Sequence, residues 1–157
     1  MRNFIGVMET EMKNNLFNSP FEMSLRILIM LDEFGDKCTE DKILAFDFMA
    51  CYSTEFEVKD VNLHGNNALK FAELVSRRQL VSEAIKDLVL KGLVLAEAGE
   101  IFLYSVTDSG KNCIHKLESP YALEYRNIVN IIKYRYADKS DVELLNLIQR
   151  KSVYQEV

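Results

Sequence analysis

The chain has 157 residues, 48% of them hydrophobic and 27% charged, which is the balance of an ordinary soluble protein with one domain and a short appendage. Its formal net charge is −5, whereas a dedicated nucleic-acid binder usually carries a basic excess that neutralises phosphates. No apolar run approaches the roughly 18 residues that span a bilayer, and the N-terminus lacks the apolar core of a signal peptide. We therefore expect a cytoplasmic protein whose main partner is neither nucleic acid nor membrane.

The residues that usually carry chemistry are sparse. Cys38, Cys51 and Cys113 form no CxxC pair and are expected to be reduced and buried. His64 and His115 have no second His or Cys three or four residues away, so metal-ligand spacing is missing. No phosphate-binding loop or nucleophile motif occurs. A Cys–His pair that meets only in the folded chain stays open, but the sequence favours a protein that is not an enzyme and uses no metal, cofactor or small-molecule substrate.

Residues 1–18 mix apolar side chains, among them Phe4, Ile5 and Met8, with charged ones. They lack the regular spacing of a core helix. We predict an arm whose apolar residues pack on a partner protein or on the body of the chain.

Two helices are predicted next. Ser19 suits the N-cap and Pro20 the first position of a helix that stops at Gly35. Because its circumference is largely apolar, this helix is expected to be central and mostly buried. The second helix starts at Thr39 and continues to about Tyr52. The main polar stripe of the first helix consists of Glu22, Arg26 and Glu33.

The period of the apolar residues changes in the middle of the chain. A third helical region is predicted to begin near Asn67 and to end at Gly92. Two β-rich runs around a Gly-containing turn then predict a hairpin within 93–106. Further helices are expected to open after Thr107, at Ser119 and at Ser140.

This order of elements predicts the fold class. Three helices followed by a hairpin are the order of a winged helix, a helix-turn-helix with an attached β-wing. We predict a mainly α chain with a small β-hairpin, divided into an N-terminal arm at 1–18, a winged-helix domain at 19–118 and a C-terminal helical extension at 119–157.

The third helix is where a winged helix would read DNA, because its exposed face enters the major groove. Arg77, Arg78 and Lys86 are the candidate phosphate contacts; the alternative for the two arginines is that they are solvated or paired with acids of the same domain. Near the turn of the hairpin, Glu97 and Glu100 would repel phosphate. We expect DNA contact to be weak or indirect, because the predicted exposed face has no net charge; it consists of Gln79, Ser82, Glu83, Lys86 and Leu90.

The C-terminal extension offers two apolar stripes. Ile131 and Tyr134 lie on the second stripe, which either joins the core or docks a partner or a second copy. The candidate partner interface consists of Ile131 and Tyr134, of Phe102 and Tyr104 beside the turn of the hairpin, and of the apolar residues of the arm. The first stripe consists of Tyr121, Tyr125, Ile128 and Ile132.

Several runs, in this order and spacing, resemble the middle component of bacterial ABC-three-component systems, which include Lamassu-type antiphage systems. The similarity extends from about residue 17 to residue 149. The runs are NSPFEMSLRILIMLDEFG, DKILAFDFMACYSTEF, LHGN, SRRQLVSEAIKDLVLKGLV and SPYALEYR.

The resemblance implies a small accessory subunit that sits between an SMC-like or Rad50-like ATPase and an effector, often a nuclease. It implies no catalytic residues. The expected function is therefore a non-catalytic adaptor in an antiphage or anti-plasmid defence complex. The alternative is a winged-helix transcription regulator that dimerises through its terminal helices.

Overall fold

The computed structural model describes residues 19–56 and 73–155. In these ranges the chain is mainly helical, with six α-helices and one two-stranded antiparallel sheet. This confirms the prediction of a mainly α chain with a small hairpin. The helices are α1 (Pro20–Phe34), α2 (Glu40–Cys51), α3 (Glu73–Leu90), α4 (Asp108–Ile114), α5 (Pro120–Tyr136) and α6 (Asp141–Gln155), and the strands are β1 (Val94–Glu97) and β2 (Leu103–Val106).

The ends of the helices follow local sequence signals. The side chain of Ser19 accepts a hydrogen bond from the Glu22 amide and caps α1, and Gly35 ends that helix in the left-handed conformation at φ 66°. Ser140 and Glu143 form a reciprocal capping box at the start of α6, in which each backbone amide donates to the other side chain. These predicted boundaries are confirmed.

Helix α1 lies at the centre of the molecule. It packs against α3 and α5, and α2 packs against α3, α5 and α6. Every side chain from Glu22 to Leu31 is buried. The prediction of a central, mostly buried helix is therefore confirmed, but the polar stripe predicted on it is partly wrong. Glu22 and Arg26 are buried between helices, and only Glu33 lies nearer the solvent.

A short bridge attaches the hairpin to the helical body. Cys38 pairs with Tyr104 of β2 through two backbone hydrogen bonds of 2.8 and 2.9 Å. Because Cys38 directly precedes the Thr39 cap of α2, this bridge holds β2 beside the first turn of α2. The end of the hairpin next to its turn is thereby brought close to the acidic residues Glu40 and Asp41.

Candidate functional site

A cluster of charged side chains is buried where four helices meet. Arg26 of α1, Asp47 of α2 and Arg77 of α3 are each at most 2% exposed. Asp47 accepts from Arg26 Nε at 2.7 Å and Nη2 at 3.1 Å, and from Arg77 Nη1 at 2.5 Å. The hydroxyl of Tyr125 in α5 donates to the same carboxylate at 2.7 Å. One carboxylate thus joins α1, α2, α3 and α5.

A second carboxylate balances the charge of the cluster. Glu22 accepts from Arg26 Nη1 at 2.9 Å and from the Tyr121 hydroxyl at 2.5 Å. Two buried guanidinium groups therefore face two buried carboxylates. Such a pairing offsets the large cost of removing charges from water, and further hydrogen bonds from the tyrosines complete it. We name Glu22, Arg26, Asp47, Arg77 and Tyr125 the buried charge cluster.

The protonation of the cluster follows from these contacts. Burial alone would raise the pKa of Asp47, but the charges of Arg26 and Arg77 and their hydrogen bonds hold that pKa well below its usual range. Burial and the neighbouring Asp47 both raise the pKa of the Tyr125 hydroxyl. A carboxylate that is saturated with donors and has a depressed pKa is a poor general base. The geometry of the cluster therefore suits holding helices together rather than proton transfer.

The structure corrects two expectations drawn from the sequence. Arg77, a candidate phosphate contact, is buried against Asp47 and lies over the rings of Phe48 and Tyr52. In this position it is not accessible to phosphate. Glu22, which the sequence places on the polar stripe of the first helix, is also inside the protein, as is Asp47. An arginine at a helical position facing the core, four residues before Val81, was the signal available in the sequence.

The remaining candidate phosphate contacts lie on the surface. Arg78 forms an ion pair with Asp41 at 2.6 Å, so its charge is offset within the chain. Lys86 is exposed. On the same helix Gln79 hydrogen-bonds to Glu83 at 3.1 Å, and Leu90 is exposed. The structure therefore brings no concentration of positive charge to the exposed face of α3 within the residues it describes.

The cysteines are buried and free, as predicted. Burial raises the pKa of the Cys38 thiol to about 12 and also raises that of Cys113. Neither thiol is activated as a nucleophile, because the thiolate is the reactive form. His115 is exposed and lies 3.2 Å from Asp32, whereas His64 falls outside the described residues. Within 19–56 and 73–155, no group of three or more metal-binding side chains is assembled, and no helix is long and apolar enough to cross a membrane.

The predicted partner-interface residues lie in two separate places. Tyr134 on α5 is 92% exposed and, with Asn130, Ile131 and Arg135, lines an open depression of about 590 Å³. Phe102, beside the turn of the hairpin, is half exposed, and Tyr104 is partly buried. The arm residues Phe4, Ile5 and Met8 lie outside the described residues.

Of the two apolar stripes on α5, the first faces the core. Tyr125, Ile128 and Ile132 are buried, and Tyr121 is partly buried with its hydroxyl on Glu22. Ile131 and Tyr134 form a separate stripe, so α5 carries more apolar side chains than its core contact uses. The described chain is thus a small helical protein with a hairpin, whose buried charges join its helices and whose surface displays large apolar side chains.

Residues 16–155 match the family model described as ABC-three component (ABC-3C) system Middle Component 2. Because this match covers nearly the whole chain, the protein belongs to the family of middle components of ABC-three-component systems. No curated protein matches the chain, and no solved structure matches it. Membership of a multi-component system implies that the chain works with protein partners.

Proposed function

We propose that this protein is a non-catalytic adaptor that links an SMC-like or Rad50-like ATPase to an effector, most simply a nuclease. The observation that carries the proposal is the family match over residues 16–155, because the family is described as the middle component of a three-component system. The proposed setting is an antiphage or anti-plasmid defence complex of the Lamassu type. Large apolar side chains on the surface support a role in binding other proteins.

The proposed fold of residues 19–118 is a winged helix. Three helices followed by a hairpin support it, as does the bridge from Cys38 to Tyr104, which adds a short third strand segment to β1 and β2. In this proposal α3 stands in the position of the recognition helix. Arg77 at the start of that helix stabilises the core instead of meeting phosphate.

The proposal predicts that the protein co-purifies with the ATPase encoded beside it. Changing Tyr134→Asp should weaken that association, because a carboxylate would replace a large apolar side chain that is 92% exposed. Loss of one interface anchor typically costs about 2 kcal/mol or more, roughly a thirtyfold loss of affinity. Pull-down from cells that co-express the components shows whether the two proteins associate. Titration of the purified chain with the ATPase measures the change in affinity.

Val75→Asp is the matched control for that substitution. Val75 is 81% exposed on α3, so a carboxylate there stays in solvent, and Val75 does not line the depression around Tyr134. It should leave co-purification and stability unchanged. If the unchanged protein never associates with the ATPase, the adaptor function is wrong. If Tyr134→Asp and removal of residues 1–16 both leave full association, the contact lies elsewhere on the chain.

The alternative function, a DNA-binding regulator, predicts tight and sequence-specific binding of duplex DNA. We expect the purified protein to bind DNA weakly and without sequence preference, because Arg77 is buried and Arg78 is paired with Asp41. Gel-shift titration at near-physiological salt is the measurement. Specific binding tighter than micromolar would favour the regulator over the adaptor.

A further inference from the structure

A second apolar surface lies between the hairpin and the start of α2. Ile101 and Phe102 are 55% and 54% exposed, and with Tyr104, Glu40 and Asp41 they line a cavity of about 300 Å³. We name these five residues the hairpin pocket. Its size is at the lower end of the range for ligand sites, and its walls combine apolar side chains with carboxylates.

The backbone fixes the shape of the hairpin pocket. The two hydrogen bonds between Cys38 and Tyr104 hold β2 against the chain that enters α2. The rings of Phe102 and Tyr104 lie nearly parallel with their centroids 6.3 Å apart. Tyr104 lies on β2, which is bonded to Cys38 on one side and pairs with β1 on the other, and Phe102 directly precedes that strand. Such preorganisation lowers the entropic cost of binding.

The charge of the hairpin pocket selects the chemistry of its occupant. Glu40 and Asp41 are its charged lining residues, and the lining includes no cation. Asp41 is paired with Arg78, but Glu40 forms no ion pair with any other residue that the structure describes. An apolar wall beside a carboxylate that has no ion-pair partner among the described residues suits a side chain of Lys or Arg next to an aliphatic or aromatic one. The carboxylates disfavour nucleic acid, whose phosphates they would repel.

We propose that the hairpin pocket docks a basic, apolar segment of another component of the system. This inference rests on the proposed adaptor function and adds the place and the chemistry of one contact. It differs from the depression around Tyr134, because that surface is on α5 and the hairpin pocket lies beside the first turn of α2. An adaptor with two such surfaces can hold two partners at once.

The test uses the full chain co-expressed with the other two components. Phe102→Ser should lower the affinity for one of them roughly thirtyfold, as expected for loss of an interface anchor. Glu40→Gln should weaken the same association and reduce its dependence on salt concentration, because the contact with a cation is lost. Leu90→Ser is the matched control, since Leu90 is 86% exposed on α3 and lines neither the hairpin pocket nor the depression around Tyr134, and it should bind as the unchanged chain does.

A photo-cross-linking amino acid at position 102 identifies the occupant. The expected product is a cross-link to a segment of another component that contains Lys or Arg. Cross-linking to a second copy of this chain, or to its own residues 1–18, would overturn the inference. So would full affinity in both Phe102→Ser and Glu40→Gln, although the adaptor function would then stand. A chain that associates with neither component overturns the inference and the adaptor function together.

Discussion

Replacing Asp47 with Asn should destabilise the protein by about 3–5 kcal/mol, the usual cost of removing one partner from a buried ion pair. The asparagine would leave Arg26 and Arg77 inside the protein without the carboxylate that receives three of their hydrogen bonds. Arg26 and Arg77 are almost fully inaccessible to water, so solvent cannot replace that carboxylate. Urea denaturation followed by circular dichroism measures the change in the free energy of unfolding.

Asp41→Asn provides the matched control. It removes the same charge from an ion pair of similar length, between Asp41 and Arg78, but both side chains are well exposed to solvent. Exposed pairs typically contribute about 0–1 kcal/mol, so this variant should stay close to the unchanged protein. A loss below about 1 kcal/mol for Asp47→Asn would show that the buried charge cluster does not hold the helices together as we infer.

The same residue makes stability depend on pH. The pKa of Asp47 is depressed in the folded chain, and an unfolded aspartate titrates near about 3.9. Ionised Asp47 therefore contributes fully to the free energy of unfolding above the unfolded pKa. That contribution is lost as the pH falls from the unfolded pKa toward the lower folded pKa. The unchanged protein should lose stability on acidification below about pH 4, and Asp47→Asn should show a shallower loss. Denaturation curves at several pH values measure both slopes.

Replacing Gly110 with Ala should also destabilise the protein strongly. A methyl group at this position in α4 would lie 2.3 Å from the carbonyl oxygen of Leu93 and 2.6 Å from a methyl group of Val106. An alanine in a helix normally stabilises by about 1 kcal/mol relative to glycine. At Gly110 we expect the opposite effect, because the added methyl group can be accommodated only if the backbone moves. The free energy of unfolding should fall by about 1–3 kcal/mol or more. Thermal and urea denaturation measure it.

Gly99→Ala separates the clash from the general effect of the substitution. An added methyl group at Gly99, in the turn of the hairpin, would come no closer than 3.5 Å to the Ile101 carbonyl oxygen, an ordinary contact. This variant should be nearly neutral. Equal stability of Gly110→Ala and Gly99→Ala would mean that α4 does not press against the start of β1 as described.

Local signals in the sequence predicted most of the helical framework. Ser19, Pro20 and Gly35 mark the ends of α1, and Ser140 with Glu143 marks the start of α6, because capping depends on residues within one turn of each other. The change of apolar period after Gly92 predicted the hairpin for the same reason. Helical spacing also grouped the apolar residues of α5 into two stripes, of which the first is buried. These features depend on neighbours along the chain.

The buried charge cluster depended on tertiary structure. Periodicity scores each helix by itself, so it assigns Arg26 and Asp47 to the solvent as polar residues and puts Arg77 on the core side of α3 without a partner for its charge. The bonds that join Arg26, Asp47 and Arg77 run between helices. They are 21 and 30 residues apart in sequence, and their charges cancel only when α1, α2 and α3 have packed. The hairpin pocket likewise required the bridge between Cys38 and Tyr104. The sequence by itself determined the helices and the hairpin, whereas the packing of separate helices decided where charge is buried and where apolar surface remains exposed.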